Sequence, residues 1–297
     1  PSRSACSAHQ FSIRPRGTTG TEASFLALFD GDESKIDALN RQIATEFGFE
    51  RTFAVSGQTY PRKFDSRITN VLSAIAQSCY RFANDLRLLQ HLRQVEEPFG
   101  EAQVGSSAMA YKRNPMLSER ICSLARYVMV DALNAPLTAS VQWFERTLDD
   151  SAIRRIAIPE AFLAVDGILR IMKRVVTGLQ VNENIIGQAV RQYLPFIATE
   201  NLLMAAVKRG GDRQQQHEII RRHSMNATER MKNGLDSDLL EQLGADPDFT
   251  LSAAEIYDEL IPEEFTGRSA HQVEHFLADL PELAANAGTD VTEDSIL

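Results

Sequence analysis

The chain has 297 residues, 43% of them hydrophobic, which is enough apolar material for one large domain or two. Its formal net charge of −9 argues against a general nucleic-acid-binding protein, so any functional positive charge must be local. No apolar run reaches the length of a membrane span and no secretory signal is recognisable, so we predict a cytoplasmic protein with no membrane partner.

The beginning of the chain carries no periodic pattern, and we predict that residues 1–10 form a disordered leader. The cysteines Cys6, Cys79 and Cys122 fit no metal or redox spacing. Cys79 and Cys122 fall on apolar helix faces, which predicts that both are reduced core residues.

The first long predicted helix runs from Ser66 to Val95. Its apolar residues are spaced alternately four and three apart, which is the heptad pattern of helices packed side by side in a bundle. They are Ile68, Leu72, Ile75, Cys79, Phe82, Leu86 and Leu89.

A polar, cationic loop follows, and we assign it residues 104–116. Ser106 and Ser107 offer hydroxyl groups, Lys112 a positive charge and Asn114 a neutral hydrogen-bonding group. Loops held by a rigid scaffold often carry catalytic groups. The residue types alone are compatible with two interpretations, namely an active-site loop and an ordinary helix–helix connection.

Helical periodicity resumes over residues 117–145, and a second heptad pattern follows. Its members are Phe162, Val165, Leu169, Met172, Val176 and Leu179. We therefore predict an all-α fold in which residues 11–181 form an elongated bundle of long helices. The extra apolar faces of these helices predict that neighbouring subunits complete the bundle.

The helical segments become shorter after Gly178, with Pro and Gly breaks between them. This change predicts a smaller C-terminal helical domain over residues 182–297. Its predicted helices span 183–194, 196–208, 212–232, 237–243, 252–260 and 269–279. His271 and His275 lie four apart on the last of them, but without a third ligand we predict no metal site.

The segment Gly105–Pro115 resembles the catalytic loop of the fumarase/aspartase superfamily, whose general form is Gly-Ser-Ser-x-Met-x-x-Lys-x-Asn-Pro. Within that superfamily the chain is similar to the adenylosuccinate lyase family. The further segments that carry this resemblance are 17–21, 56–60, 118–120, 140–151, 195–201 and 265–268.

The resemblance implies a cofactor-free and metal-free elimination of fumarate. Adenylosuccinate would give AMP, and succinyl-aminoimidazole-carboxamide ribotide would give its aminoimidazole product, both in purine biosynthesis. It also implies a homotetramer whose active sites are shared between subunits. Because negative charge grows on a succinyl carboxylate in the transition state, fixed donors and cations must stabilise it.

The same resemblance assigns roles to individual residues. Ser106 would be the base, Lys112 and Asn114 would hold the succinyl carboxylates, and Glu119 would orient the catalytic histidine. The remaining predicted substrate-binding residues are Thr18, Thr19, Gln58, Arg120, Arg146, Ser151 and Arg155. By the same resemblance, Arg120, Arg146, Ser151 and Arg155 would bind the phosphate and nucleotide end of the substrate. The planar guanidinium of arginine suits such oxygens.

The chain departs from the family pattern in one important respect. The general-acid histidine of the family lies upstream of everything that matches, whereas this chain has only His9 before residue 90. We therefore expect the chain to correspond to the C-terminal part of such a lyase. Two alternatives stay open: a sister lyase of the argininosuccinate lyase or fumarase type, and a catalytically inactive helical scaffold that pairs with a full-length lyase.

Overall fold

The computed structural model describes residues 11–12, 15–99, 113–144 and 146–280. The chain divides into two compact units, with the boundary between Asn182 and Glu183. The secondary structure of the described residues is helical apart from four strands of two residues each, so the all-α prediction is confirmed. None of the helices in these ranges is long and apolar enough to cross a membrane.

The first unit begins with short elements. They are β1 (Phe11–Ser12), α1 (Ala23–Leu28), α2 (Glu33–Glu46) and β2 (Arg51–Thr52). Strands β1 and β2 pair in parallel. Helix α2 begins where it does because the Asp32 carboxylate accepts hydrogen bonds from the first free backbone N–H groups of the helix.

Three long helices form the core of this unit. The remaining elements of the unit are α3 (Lys63–His91), β3 (Val95–Glu96), α4 (Met116–Asp131), α5 (Asn134–Ser140), α6 (Asp149–Thr177) and β4 (Gln180–Val181). Strand β3 pairs antiparallel with β4, so α3 and α6 end at the same side of the bundle. Helix α4 runs in the opposite direction, because it begins beside the end of α3.

The buried face of α3 is shifted by one position from the predicted one. Leu72, Cys79 and Leu86 are buried as predicted, but Ala76 and Ala83 complete the stripe with no exposed surface. Phe82, predicted as a core residue, is 39% exposed, while Ile68, Ile75 and Leu89 pack at the margin of the core. The two alanines allow the helices to approach closely, and the bulky side chains then lie on the flank.

The predicted core face of α6 is wrong for three of its six residues. Phe162, Leu169 and Val176 are 50%, 47% and 53% exposed in the single chain. The residues that face the core instead are Ala157, Ala161, Val165, Ile168, Ile171 and Val175. Helix α6 therefore has two apolar faces, and the described residues cover only one of them.

The second unit contains only helices among its described residues. They are α7 (Glu183–Ile197), α8 (Thr199–Lys208), α9 (Arg213–Lys232), α10 (Leu239–Ala245), α11 (Ala253–Asp258), a 3-10 turn (Pro262–Thr266) and α12 (Ser269–Ala278). Pro195 does not separate two helices as predicted. It lies inside the last turn of α7, and the chain breaks at Ala198 instead.

Candidate active site

Two predicted site segments are in backbone contact near the beginning of α3. Gly20 adopts a φ of +81°, and a Cβ atom there would lie 2.4 Å from the carbonyl carbon of Gly57. Only glycine fits this approach. The contact brings the loop of Thr18 and Thr19 against the loop of Gln58, and all three side chains are exposed.

A third predicted segment is the first turn of α6 and the residues before it. The Arg155 Nη1 group donates to the Ser151 hydroxyl at 2.5 Å and to the Ser151 carbonyl at 3.2 Å. Arg146 lies one turn before Asp150 and contacts its carboxylate at 3.5 Å. Arg155 has no carboxylate partner among the described residues, so its positive charge stays available to a ligand.

A polar network joins α6 to the loop that contains Gln58. Arg154 donates through Nε to the Asp65 carboxylate at 2.5 Å, and the Tyr60 hydroxyl donates to the same carboxylate at 2.6 Å. Arg154 Nη2 also contacts the Tyr60 hydroxyl. Burial, together with the hydrogen bond to Asp65, raises the pKa of Tyr60 above its usual value.

A second ion pair lies beside this network. Arg62 Nε donates to the Asp150 carboxylate at 2.5 Å, and both side chains are buried. The guanidinium of Arg62 also lies 4.6 Å from the centroid of the Tyr60 ring. The two pairs fix the beginning of α3 to the beginning of α6, so the predicted segments 17–21 and 56–60 form one surface with the predicted residues Arg146, Ser151 and Arg155.

This supporting network was not predicted from the sequence. Tyr60 and Asp150 lie inside segments that carry the family resemblance, but no role was assigned to them. One signal was available for Asp65 on α3. Asp65 and Thr69 continue the buried face of Leu72 and Ala76 towards the start of the helix, at spacings of four and three residues. A carboxylate on a buried helix face needs a partner, so this need was predictable from the sequence.

The predicted residues of α4 lie elsewhere. Asn114, Glu119 and Arg120 surround the beginning of this helix, and Asn114 and Glu119 are exposed. The helix start is tied to the end of α3, because Gln90 Nε2 donates to the Arg113 carbonyl at 3.4 Å. These residues therefore form a second group of predicted site residues.

A buried carboxylate caps α4. The Glu97 side chain accepts hydrogen bonds from the backbone N–H groups of Leu117 at 2.8 Å and Ser118 at 2.9 Å, and from the Ser118 hydroxyl at 3.0 Å. Next to it, Glu96 pairs with Arg113 at 3.0 Å. The positive end of the helix is thus occupied by a group of the protein itself.

The two groups of predicted residues are far apart within one chain. The first lies beside Asp65 and the second beside Gln90, at opposite ends of α3. At a rise of about 1.5 Å per residue, the helix between these residues spans roughly 38 Å. One chain therefore does not bring all of the predicted site residues together.

The residues with the most specific predicted chemistry, Ser106 and Lys112, lie outside the described residues. Met116, assigned to the end of the loop, belongs to α4. His271 and His275 lie on α12 with ring centroids 6.3 Å apart and ring planes tilted by 31°. Across the described ranges, no three His, Cys, Asp or Glu side chains are grouped as a metal site.

Comparison with known protein families gives two matches. Residues 195–276 match the family described as "Adenylosuccinate lyase C-terminus", and residues 31–130 match the family described as "Lyase".

Individual proteins agree with the family matches. Adenylosuccinate lyase of Schizosaccharomyces pombe is 46% identical over 287 residues, which is 95% of this chain and 59% of that protein. The Saccharomyces cerevisiae enzyme is 48% identical over 263 residues, which is 88% of this chain and 55% of that enzyme. The chain thus spans a little over half the length of these relatives.

A solved structure supports the fold. The fumarate lyase of Mesorhizobium sp. BNC1 superposes with a TM-score of 0.73 at 22% identity, over 90% of this chain and 57% of that protein. The all-α bundle is therefore the fold of a known lyase structure.

Proposed function

This chain is homologous to the adenylosuccinate lyases of the fumarase/aspartase superfamily, and we propose that it supplies the proton-abstracting and nucleotide-binding parts of such a lyase. The reaction is the elimination of fumarate from adenylosuccinate, which gives AMP, and from succinyl-aminoimidazole-carboxamide ribotide. No metal or cofactor takes part in this proposal.

One observation carries the proposal, namely the excess of positive charge at the beginning of α6. Four arginines meet there, and three aspartates oppose them, of which Asp65 and Asp150 are buried and Asp149 is exposed; the arginines are Arg62, Arg146, Arg154 and Arg155. Asp150 and Asp65 neutralise two of these charges. The remaining charge suits a phosphate monoester, which arginine binds through paired N–H groups.

The second group of residues supplies the chemistry in this proposal. Ser106 removes the proton beside the succinyl carboxylate, which requires a stabilised alkoxide because a free serine hydroxyl is too weak a base. Lys112 and Asn114 bind the carboxylates on which charge grows. Glu119 orients the histidine that protonates the departing nitrogen.

The two groups act in one site if different copies of the chain supply them. They lie roughly 38 Å apart in a single copy, which is too far for one substrate molecule. The exposed apolar face of α6 (Phe162, Leu169 and Val176) supports association of copies through this helix. We therefore propose a homotetramer with shared sites. The acid histidine comes from the part of the lyase that this chain does not span.

The direct test is fumarate release by the natural full-length protein, followed by ultraviolet absorbance. Ser106→Ala should abolish turnover and leave the helical content unchanged. Ser107→Ala is the matched control, since it removes the neighbouring hydroxyl, and it should retain most of the rate. Full activity of Ser106→Ala would remove this residue from the mechanism, and an inactive wild-type protein would favour the scaffold alternative.

A further inference from the structure

Asp150 connects two arginines that come from different segments. Its Oδ2 atom accepts from Arg62 Nε at 2.5 Å, and its Oδ1 atom contacts Arg146 Nη2 at 3.5 Å. Asp150 has no exposed side-chain surface, and it lies in the first turn of α6. Each oxygen of one buried carboxylate therefore faces a different cation.

The Arg62 side of this arrangement is fixed. Its side chain is 6% exposed and lies over the Tyr60 ring, so it cannot leave Asp150 without becoming a buried, unpaired charge. Because Arg62 holds one carboxylate oxygen, the other oxygen has a defined position beside Arg146.

The Arg146 side is different, because this side chain is only partly buried. Its side chain is 26% exposed, and Asp150 is its ion-pair partner in the part of the chain that the structure describes. Its Nε atom is buried and has no hydrogen-bond partner within the same ranges. The buried Nε cannot reach a ligand, but Nη1 makes no hydrogen bond among the described residues, so Arg146 keeps N–H donors for a ligand while Asp150 holds Nη2.

We propose that Asp150, fixed by Arg62, is a positioning residue that orients the Arg146 guanidinium towards the anionic group of the substrate. The inference rests on the proposed function for the identity of that anion, a phosphate monoester. Two arginines share one carboxylate, so one positive charge remains for the ligand. Without the carboxylate the two cations would repel, and Arg146 would turn towards solvent.

The test compares Asp150→Asn with Asp149→Asn in the natural full-length protein. Both variants remove one negative charge from the first turn of α6, but Asp149 is exposed and has no arginine partner in the described ranges. Asp150→Asn should raise the KM for adenylosuccinate and the Kd for AMP roughly tenfold or more, with kcat close to wild type. Asp149→Asn should change neither constant by more than about twofold.

A double variant distinguishes a positioning role of Asp150 from a role in the stability of the fold. Asp150→Asn leaves Arg62 buried without its charge partner and should lower the melting temperature. The double variant Asp150→Asn/Arg62→Met removes the unpaired charge, so it should regain thermal stability while the Kd for AMP stays raised. Recovery of AMP binding together with stability would show that Asp150 acts only on the fold, and would overturn the inference.

Failure of the inference is distinguishable from failure of the proposed function. Binding of inorganic phosphate, measured by calorimetry, needs no turnover. Weaker phosphate binding by Asp150→Asn than by Asp149→Asn supports the positioning role even if the protein releases no fumarate. Equal phosphate affinity in the two variants, or no phosphate binding by the wild type, would overturn the inference.

Discussion

The cap of α4 by Glu97 allows a quantitative prediction about stability. In Glu97→Gln one side-chain oxygen remains and can still accept from Leu117, but an NH₂ group faces the N–H and hydroxyl groups of Ser118. An unsatisfied buried donor costs about 1–3 kcal/mol. Loss of the negative charge at the helix N-terminus adds about 0.3–1 kcal/mol. We expect the free energy of unfolding to fall by roughly 1–4 kcal/mol.

The neighbouring residue provides a matched control. Glu96→Gln removes the same charge one position earlier, but the Glu96–Arg113 pair is solvent-exposed at 25% and 51% of its side chains. Exposed pairs contribute about 0–1 kcal/mol, so this variant should be close to wild type. We expect the larger loss of stability in Glu97→Gln because only Glu97 is buried and accepts hydrogen bonds from the backbone of α4.

Thermal unfolding followed by circular dichroism measures both variants. For a unit of this size, the predicted loss for Glu97→Gln corresponds to a fall in Tm of roughly 3–16 °C. Glu96→Gln should shift Tm by less than about 4 °C. Equal shifts in the two variants would refute the capping argument, since charge rather than hydrogen bonding would then control the effect.

Three further predictions follow from single positions. Gly20→Ala should destabilise the protein by more than Gly31→Ala, measured by denaturant unfolding; both glycines have a similar positive φ, at +81° and +85°, but only at Gly20 would a Cβ atom collide with backbone. Equal losses would mean that the contact between the loops is unimportant. The hydrogen bond from His223 lowers the pKa of Asp246 below its usual value. The contribution of Asp246 to stability is therefore complete above the usual pKa of an aspartate and is lost as the pH falls through the lowered pKa. Asp246→Asn should therefore flatten the loss of stability in acid, and an unchanged acid profile would contradict this assignment. Ala83→Leu should lower the free energy of unfolding by about 1–3 kcal/mol, because this fully buried residue faces the core; a neutral or stabilising effect would show that space remains between the helices.

The long helices were predictable from the sequence, but their buried faces were predictable only in part. Large apolar residues reveal a helical stripe, whereas close packing of α3 selects Ala76 and Ala83, whose small side chains give a weak signal. On α6 the prediction selected Phe162 and Leu169, which lie on the face that the structurally described part of the chain leaves exposed. Periodicity identifies an apolar face, but it does not say which partner covers that face.

The candidate site was also predictable from the sequence only in part. The family resemblance indicated which residue types to examine, and the structure places one set of them around the beginning of α6. The buried partners were not predicted, because the pair of Arg62 and Asp150 joins positions 88 residues apart. Such a pair has no local sequence pattern, and it becomes visible only when two helices are brought together.

The most direct test of a site shared between copies is complementation between two inactive variants of the full-length protein. Ser106→Ala removes the base and Arg155→Met removes a cation of the other group, and each variant alone should release little fumarate. If copies exchange these groups within a tetramer, co-expression of the two variants should restore about a quarter of the wild-type rate. No recovery in verified mixed tetramers would contradict the account, because each copy would then build its site alone.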